Sequence, residues 1–208
     1  MSLWKLLTAR WGSGAGETDE VRIDPSTNSL QTITYEHHEI HNGTHWTAFV
    51  QDDSVASAGK LSFSFKTPNS ALLTHLIIET RSSGEAITTL LEDASSTADG
   101  DGEAAYAAIN RQRDSGGASS LLEDTTTGSF ETVGLNVYVE AVPAANHPTG
   151  TAIEVFSTGS GNKSGGGARG AEEFVLARDT VYGVVMESKA AGNAMVLRLD
   201  WYEHTAKH

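Results

Sequence analysis

The sequence predicts an all-β protein, an antiparallel jelly-roll-like β-sandwich with one short helix and an N-terminal extended or helical arm, on three observations. From residue 30 onward the hydrophobic period is mostly two rather than 3.6, the alternation of a strand with one face in a core. Such runs recur along the chain and are separated by clusters of Gly, Pro, Asn, Asp and Ser, which punctuate sheet proteins. The chain also holds 21 glycines in 208 residues, above the average share of about 7%, with 38% hydrophobic residues, a mix that suits a loop-rich folded chain. That length can bury a core within one domain.

Taken in order, residues 1–16 form an arm and its linker, and residues 17–208 form the sandwich domain. Gly12-Ser13-Gly14-Ala15-Gly16 offers no core-forming side chain and reads as a flexible linker. Before it, Leu3, Leu7 and Trp11, with Trp4 beside them, fall on one face at helical spacing, while Lys5 and Arg10 lie elsewhere on the wheel. This face is the predicted partner-binding element, with packing on its own domain as the alternative; burying two Trp and two Leu contributes about 6–10 kcal/mol gross before ordering entropy is subtracted.

Within the domain, Asn42-Gly43 between two aromatic-containing alternating runs predicts a β-hairpin over residues 31–51. Leu61, Phe63 and Phe65 alternate with Ser62 and Ser64, and Met195, Leu197, Leu199 and Trp201 alternate with more polar neighbours. Residues 133–139 and 181–186 are β-branched and aromatic and read as inner strands. Further strands are expected around 73–80, 86–92, 118–123, 151–157 and 172–178. Alanine propensity predicts the single short helix at residues 102–111, ended by Ser115-Gly116-Gly117. One short helix in a long crossing between strands fits a jelly roll.

Two polar loops resemble ligand sites only superficially. Residues 99–103, Asp-Gly-Asp-Gly-Glu, lack the 12-residue ligand register of an EF-hand. Residues 161–164, Gly-Asn-Lys-Ser, lack the upstream glycine at the spacing that a phosphate-binding loop requires.

The run Tyr35 to Trp46, rich in His and Glu and echoed by Trp201-Tyr202-Glu203-His204, looks at first like a metal or catalytic site. On the predicted hairpin its side chains divide between two faces. Tyr35, His37, Glu39, His41, Trp46 and Val50 take one face, and Glu36, His38, Ile40, His45 and Phe49 take the other. His37 and His41 would then stand about 13 Å apart on a strand rising about 3.3 Å per residue, beyond the reach of zinc bonds of about 2.1 Å. His38-Glu39-Ile40-His41 also has one residue too few for a zincin helix. No Gly-x-Ser-x-Gly elbow occurs. The cluster Glu36, His38, His41, His45 and His204 is therefore expected to be structural, tying the hairpin to an adjacent strand that carries Trp201 and His204 or to another copy of the chain. No catalytic residue, metal or cofactor is expected.

The absence of cysteine excludes disulfides and thiolate chemistry. A formal net charge of −13 opposes binding to nucleic acid or to an anionic membrane surface. Residues 1–11 are too short an apolar stretch for a signal peptide and are interrupted by Lys5 and Arg10, so synthesis in the cytoplasm is expected. No segment approaches the roughly 20 apolar residues that span a bilayer.

Residues 21–41, opening Val21-Arg22-Ile23-Asp24-Pro25, and the closing segment from Leu197 to Thr205 resemble the opening and closing signatures of virion structural proteins of tailed bacteriophages. So does Gly165-Gly166-Gly167-Ala168-Arg169 leading into residues 173–176 and 180–182. The resemblance spans most of residues 21–205 and excludes the arm. It implies a head decoration or cement protein, a jelly-roll module, often trimeric, that binds the major capsid protein on the outer surface of the capsid and has no catalytic residues. A tail or fibre module binding host glycan through aromatics such as Trp46 or Tyr106 is the competing expectation, and a metal-dependent jelly-roll enzyme is a third.

Overall fold

The computed structural model describes residues 39–95, 104–126, 129–142, 144–159, 164–166 and 173–205, all within the unit that begins at Glu39. The arm, its linker and the first part of the expected hairpin lie outside the described residues. The described strands fall into three groups along the chain. The first comprises β1 (His45–Val55), β2 (Lys60–Lys66), β3 (Leu72–Ser82) and β4 (Ala86–Ser95). A middle group follows with β5 (Ala104–Tyr106), β6 (Ile109–Asn110), β7 (Leu122–Thr126), β8 (Ser129–Val133) and β9 (Leu135–Tyr138). The last comprises β10 (Thr149–Thr158), β11 (Ser164–Gly166), β12 (Phe174–Val175), β13 (Val181–Ser188) and β14 (Asn193–Thr205).

The first and last groups pair as the two arms of one long hairpin. β1 lies antiparallel to β14, β2 to β13, β3 to β11 and β12, and β4 to β10. Alternate rungs of this hairpin go to opposite sheets, because β14 also pairs β3 and β13 also pairs β4. The sheet orders that result, β11-β3-β14-β1 and β10-β4-β13-β2, are those of a jelly roll. The middle group then extends each sheet beyond its first-group strand: β6 adds to β1, while β7 and β9 add to β2.

Alternation fixes which side chains meet between the sheets. Leu61, Phe63, Phe65, Tyr182, Val184 and Met186 face inward from one sheet. Trp46, Leu76, Met195, Leu197, Leu199 and Trp201 face inward from the other. The out-of-phase residues Ser62 and Ser64, expected on a wetter face, are fully buried. Ser62 Oγ lies 2.8 Å from His147 Nδ1 and Ser64 Oγ lies 3.0 Å from the Tyr138 hydroxyl, so the chain around residues 138–148 roofs that outer face.

Two local expectations are corrected. The helix expected at 102–111 is not formed over its described part: residues 104–106 pair with β9 and residues 109–110 pair with β1. Pairing with neighbours distant in sequence overrides a weak alanine preference. A 3₁₀ turn is instead found at Ala144–Asn146. The hairpin at 31–51 also fails, since residues 39–41 are helical. The Thr44 N–H donates to the Glu39 carbonyl at 3.0 Å and the Gly43 N–H to the Ile40 carbonyl at 3.1 Å, the two bonds of a Schellman helix end. Gly43 has φ +72°, and a Cβ there would sit 2.7 Å from Gln112 Oε1. Asn42-Gly43 thus stops a helix and delivers the chain into β1.

Candidate functional site

The end of the sheet where β1 begins and β14 finishes concentrates the titratable side chains. The register sets Trp46, Trp201 and Leu76 in one row facing the core, so the adjoining row of His45, Tyr202 and His75 faces the other way. Tyr202 occupies the middle of that row. Its ring stacks on His75 at 4.6 Å between centroids and meets the edge of His45 at 6.1 Å. Its hydroxyl donates to Glu173 Oε1 at 2.7 Å, and the same oxygen accepts from His75 Nδ1. His204, two residues along β14, places Nε2 2.8 Å from His75 Nε2, while its Nδ1 donates to the Thr205 carbonyl at 2.8 Å.

Behind this row, facing the core, Glu203 is a buried carboxylate with every bond directed inward. Its Oε1 accepts from Ser119 Oγ at 2.8 Å, from the Ser120 N–H at 3.0 Å and from Trp201 Nε1 at 3.1 Å, and its Oε2 accepts from the same Ser120 N–H at 3.1 Å. The Glu203 N–H donates to the Thr44 carbonyl at 3.0 Å, which binds the start of β1 to the end of β14. A carboxylate so enclosed anchors the 115–121 segment and has little capacity left for chemistry.

A second polar pair, Ser62 and His147, has the composition of a nucleophile and its base. His147 is 2% exposed and Ser62 is fully buried, so a substrate has no approach. Burial lowers the His147 pKa, Lys60 lowers it further, and a hydrogen bond to the Val142 backbone works the other way. The pair therefore reads as a neutral imidazole holding down the 139–148 segment. In the same manner Tyr182 donates to Glu92 Oε1 at 2.8 Å and accepts from the Ala177 N–H at 2.9 Å. Burial first, and then the bond to Glu92, push its hydroxyl pKa up to about 12. Burial likewise raises the Glu123 carboxyl.

The expected site residues are dispersed. Leu3, Trp4, Leu7, Trp11, Glu36 and His38 lie outside the described residues. His41 is exposed on the helical end, away from the strand position that the hairpin assigned to it. His45 and His204 both contact the Tyr202 ring, and Trp46 pairs with Trp201. Trp46 is 4% exposed, which corrects its expected role as an exposed platform, while Tyr106 is half-buried and packs edge-on against Phe63 with ring centroids 5.8 Å apart. Sequence reasoning missed His75 and Glu173. The local signal was only that His75 stands beside the apolar residues Leu76, Ile77 and Ile78.

Among the described residues no group of three or more His, Asp or Glu side chains is placed to hold a metal ion, and no helix is long and apolar enough to cross a membrane. Compared with family models, curated proteins and solved structures, the chain has no match.

Proposed function

We propose that this is a noncatalytic bacteriophage capsid decoration protein that binds the major capsid protein on the outer surface of the head, stabilises the lattice and is assembled in the host cytoplasm. The observation that carries the reading is the jelly-roll strand order together with titratable groups turned inward at Glu203, His147 and Tyr182. Polar groups used this way make a rigid module rather than a reaction centre. A formal net charge of −13 supports a place outside the DNA-filled interior. Repetition on a lattice makes modest contacts sufficient, since linked copies bind with high effective concentration. For the homotrimer that the resemblance implies, β10 pairs only with β4 among the described residues and exposes Ile153 and Val155 along that edge.

The anchor in this reading is the apolar face of Leu3, Trp4, Leu7 and Trp11. Capsids assembled without the protein are expected to lose heat resistance, full-length protein should restore it, and protein lacking residues 1–11 should not. Equal rescue by the shortened protein would remove the anchoring role. Copy number per virion separates decoration from the tail or fibre alternative: hundreds indicate the head and a handful the tail.

A further inference from the structure

We propose that His75 and His204 form a two-imidazole binding site for a borderline transition-metal cation, Zn²⁺ or its neighbours Cu²⁺ and Ni²⁺. The inference follows from hydrogen accounting at the four ring nitrogens. His75 Nδ1 meets Glu173 Oε1, a carboxylate oxygen that also accepts from the Tyr202 hydroxyl. His204 Nδ1 meets the Thr205 carbonyl, which is an acceptor only. Both Nδ1 atoms are therefore donors, and each neutral ring presents a lone pair on Nε2. Those two Nε2 atoms face each other at 2.8 Å. Two lone pairs repel at that distance, so the geometry calls for a positive species between them.

A proton satisfies that demand by converting one ring to imidazolium. A metal ion satisfies it with both rings neutral. With bonds of about 2.0–2.1 Å in tetrahedral geometry the nitrogens would stand about 3.3 Å apart, so the rings need to part by only about 0.5 Å. The outer partners are already those of a metal site: metal-bound histidines direct their second nitrogen to a carboxylate or a backbone carbonyl, and here one of each is present. The His75 ring stacks on Tyr202 at 4.6 Å between centroids and meets His204 tilted by 32° at 4.6 Å, contacts that hold its orientation. Imidazole pairs select zinc, copper and nickel over calcium and magnesium, which require oxygen ligands. The His75 and Glu173 side chains retain 13% and 24% exposure, which gives a path from solvent. No group of three or more His, Asp or Glu side chains is placed to hold a metal ion among the described residues, so the proposed site is a two-imidazole one.

The site is independent of the decoration reading. The test uses the full chain stripped with a chelator and titrated with ZnCl₂ at pH 7.5 by calorimetry, with thermal unfolding as a second readout. The expected result is one zinc per chain and a raised unfolding midpoint in its presence. Binding should weaken at least tenfold in His204→Gln and in His75→Gln. It should weaken about tenfold in Glu173→Gln, which keeps both imidazoles but loses the charged orienting group. It should be unchanged in His41→Gln. Should His75→Gln fail to fold, the partly exposed His204 supplies the decisive variant. Absence of stoichiometric zinc in the wild-type chain, or binding of equal strength in His204→Gln, overturns the proposal.

Discussion

At His147 three influences meet on one imidazole. Its surroundings withhold water, Lys60 adds positive charge nearby, and the Val142 backbone opposes both in part. In the unfolded chain the ring takes up its proton near 6.5, whereas in the folded protein it does so only at lower pH. Between those points the unfolded chain binds a proton that the folded protein does not. Stability therefore falls as pH drops below about 6.5 and levels off once the folded ring is also charged. Thermal unfolding from pH 8 to pH 5 should show the wild-type midpoint dropping a few degrees more than that of His147→Gln, since about 1 kcal/mol moves a domain of this size by about 2–4 °C. Parallel curves would show that His147 contributes nothing to the acid response. Neither this residue nor the pair His75–His204 was legible in the sequence. The latter two are 129 positions apart, and each alone looks like a polar residue in a strand. Their meeting is set by the register of β14 against β3, which no local pattern encodes.

Strands were the legible elements, because period-two alternation is a local property that survives whichever neighbour a strand acquires. Leu61, Phe63 and Phe65, and Met195 through Trp201, face the core as their alternation requires. Where local preference was weak, neighbours decided. Ala104, Ala105 and Tyr106 pair with Val137, Asn136 and Leu135 instead of forming a helix. Asn42-Gly43 was ambiguous for a different reason: a residue with positive φ serves both a tight hairpin and a helix end, and only the preceding residues distinguish them. Gly43→Ala should destabilise by about 1–2 kcal/mol from the left-handed backbone alone. Displacement of Gln112 and Ser115 adds to that cost. Chemical denaturation measures the sum, and a change below about 0.5 kcal/mol would mean that this helix end does not constrain the entrance to β1.

For the molecule as a whole, the pairing of first strands with last strands makes contacts between residues far apart in sequence the rule. Thr47 Oγ1, for example, donates to the Leu199 carbonyl across 152 positions. Such a topology delays the reward for ordering the chain until its last strand arrives. Refolding from denaturant, followed by fluorescence of the buried Trp46 and Trp201, should take milliseconds to seconds or longer, and a microsecond phase carrying the full amplitude would contradict it. The fold class was legible because many short alternating runs and turn clusters allow few architectures. Apart from the resemblance, the jelly-roll order was expected from the single helix in a long crossing, an observation that the structure replaces with β5 and β6.

The bond between the Glu203 N–H and the Thr44 carbonyl places the start of β1 beside the end of β14. Tension applied between residues 44 and 205 would therefore meet the β1–β14 ladder one rung at a time, peeling it from His45–Tyr202 towards Val55–Asn193. Tension applied between residue 44 and the opposite end of β14, near Asn193, would load those same rungs together in shear. The β1–β14 ladder is thus mechanically anisotropic: weak when pulled at residues 44 and 205, and strong when residue 44 is held and the load falls near Asn193.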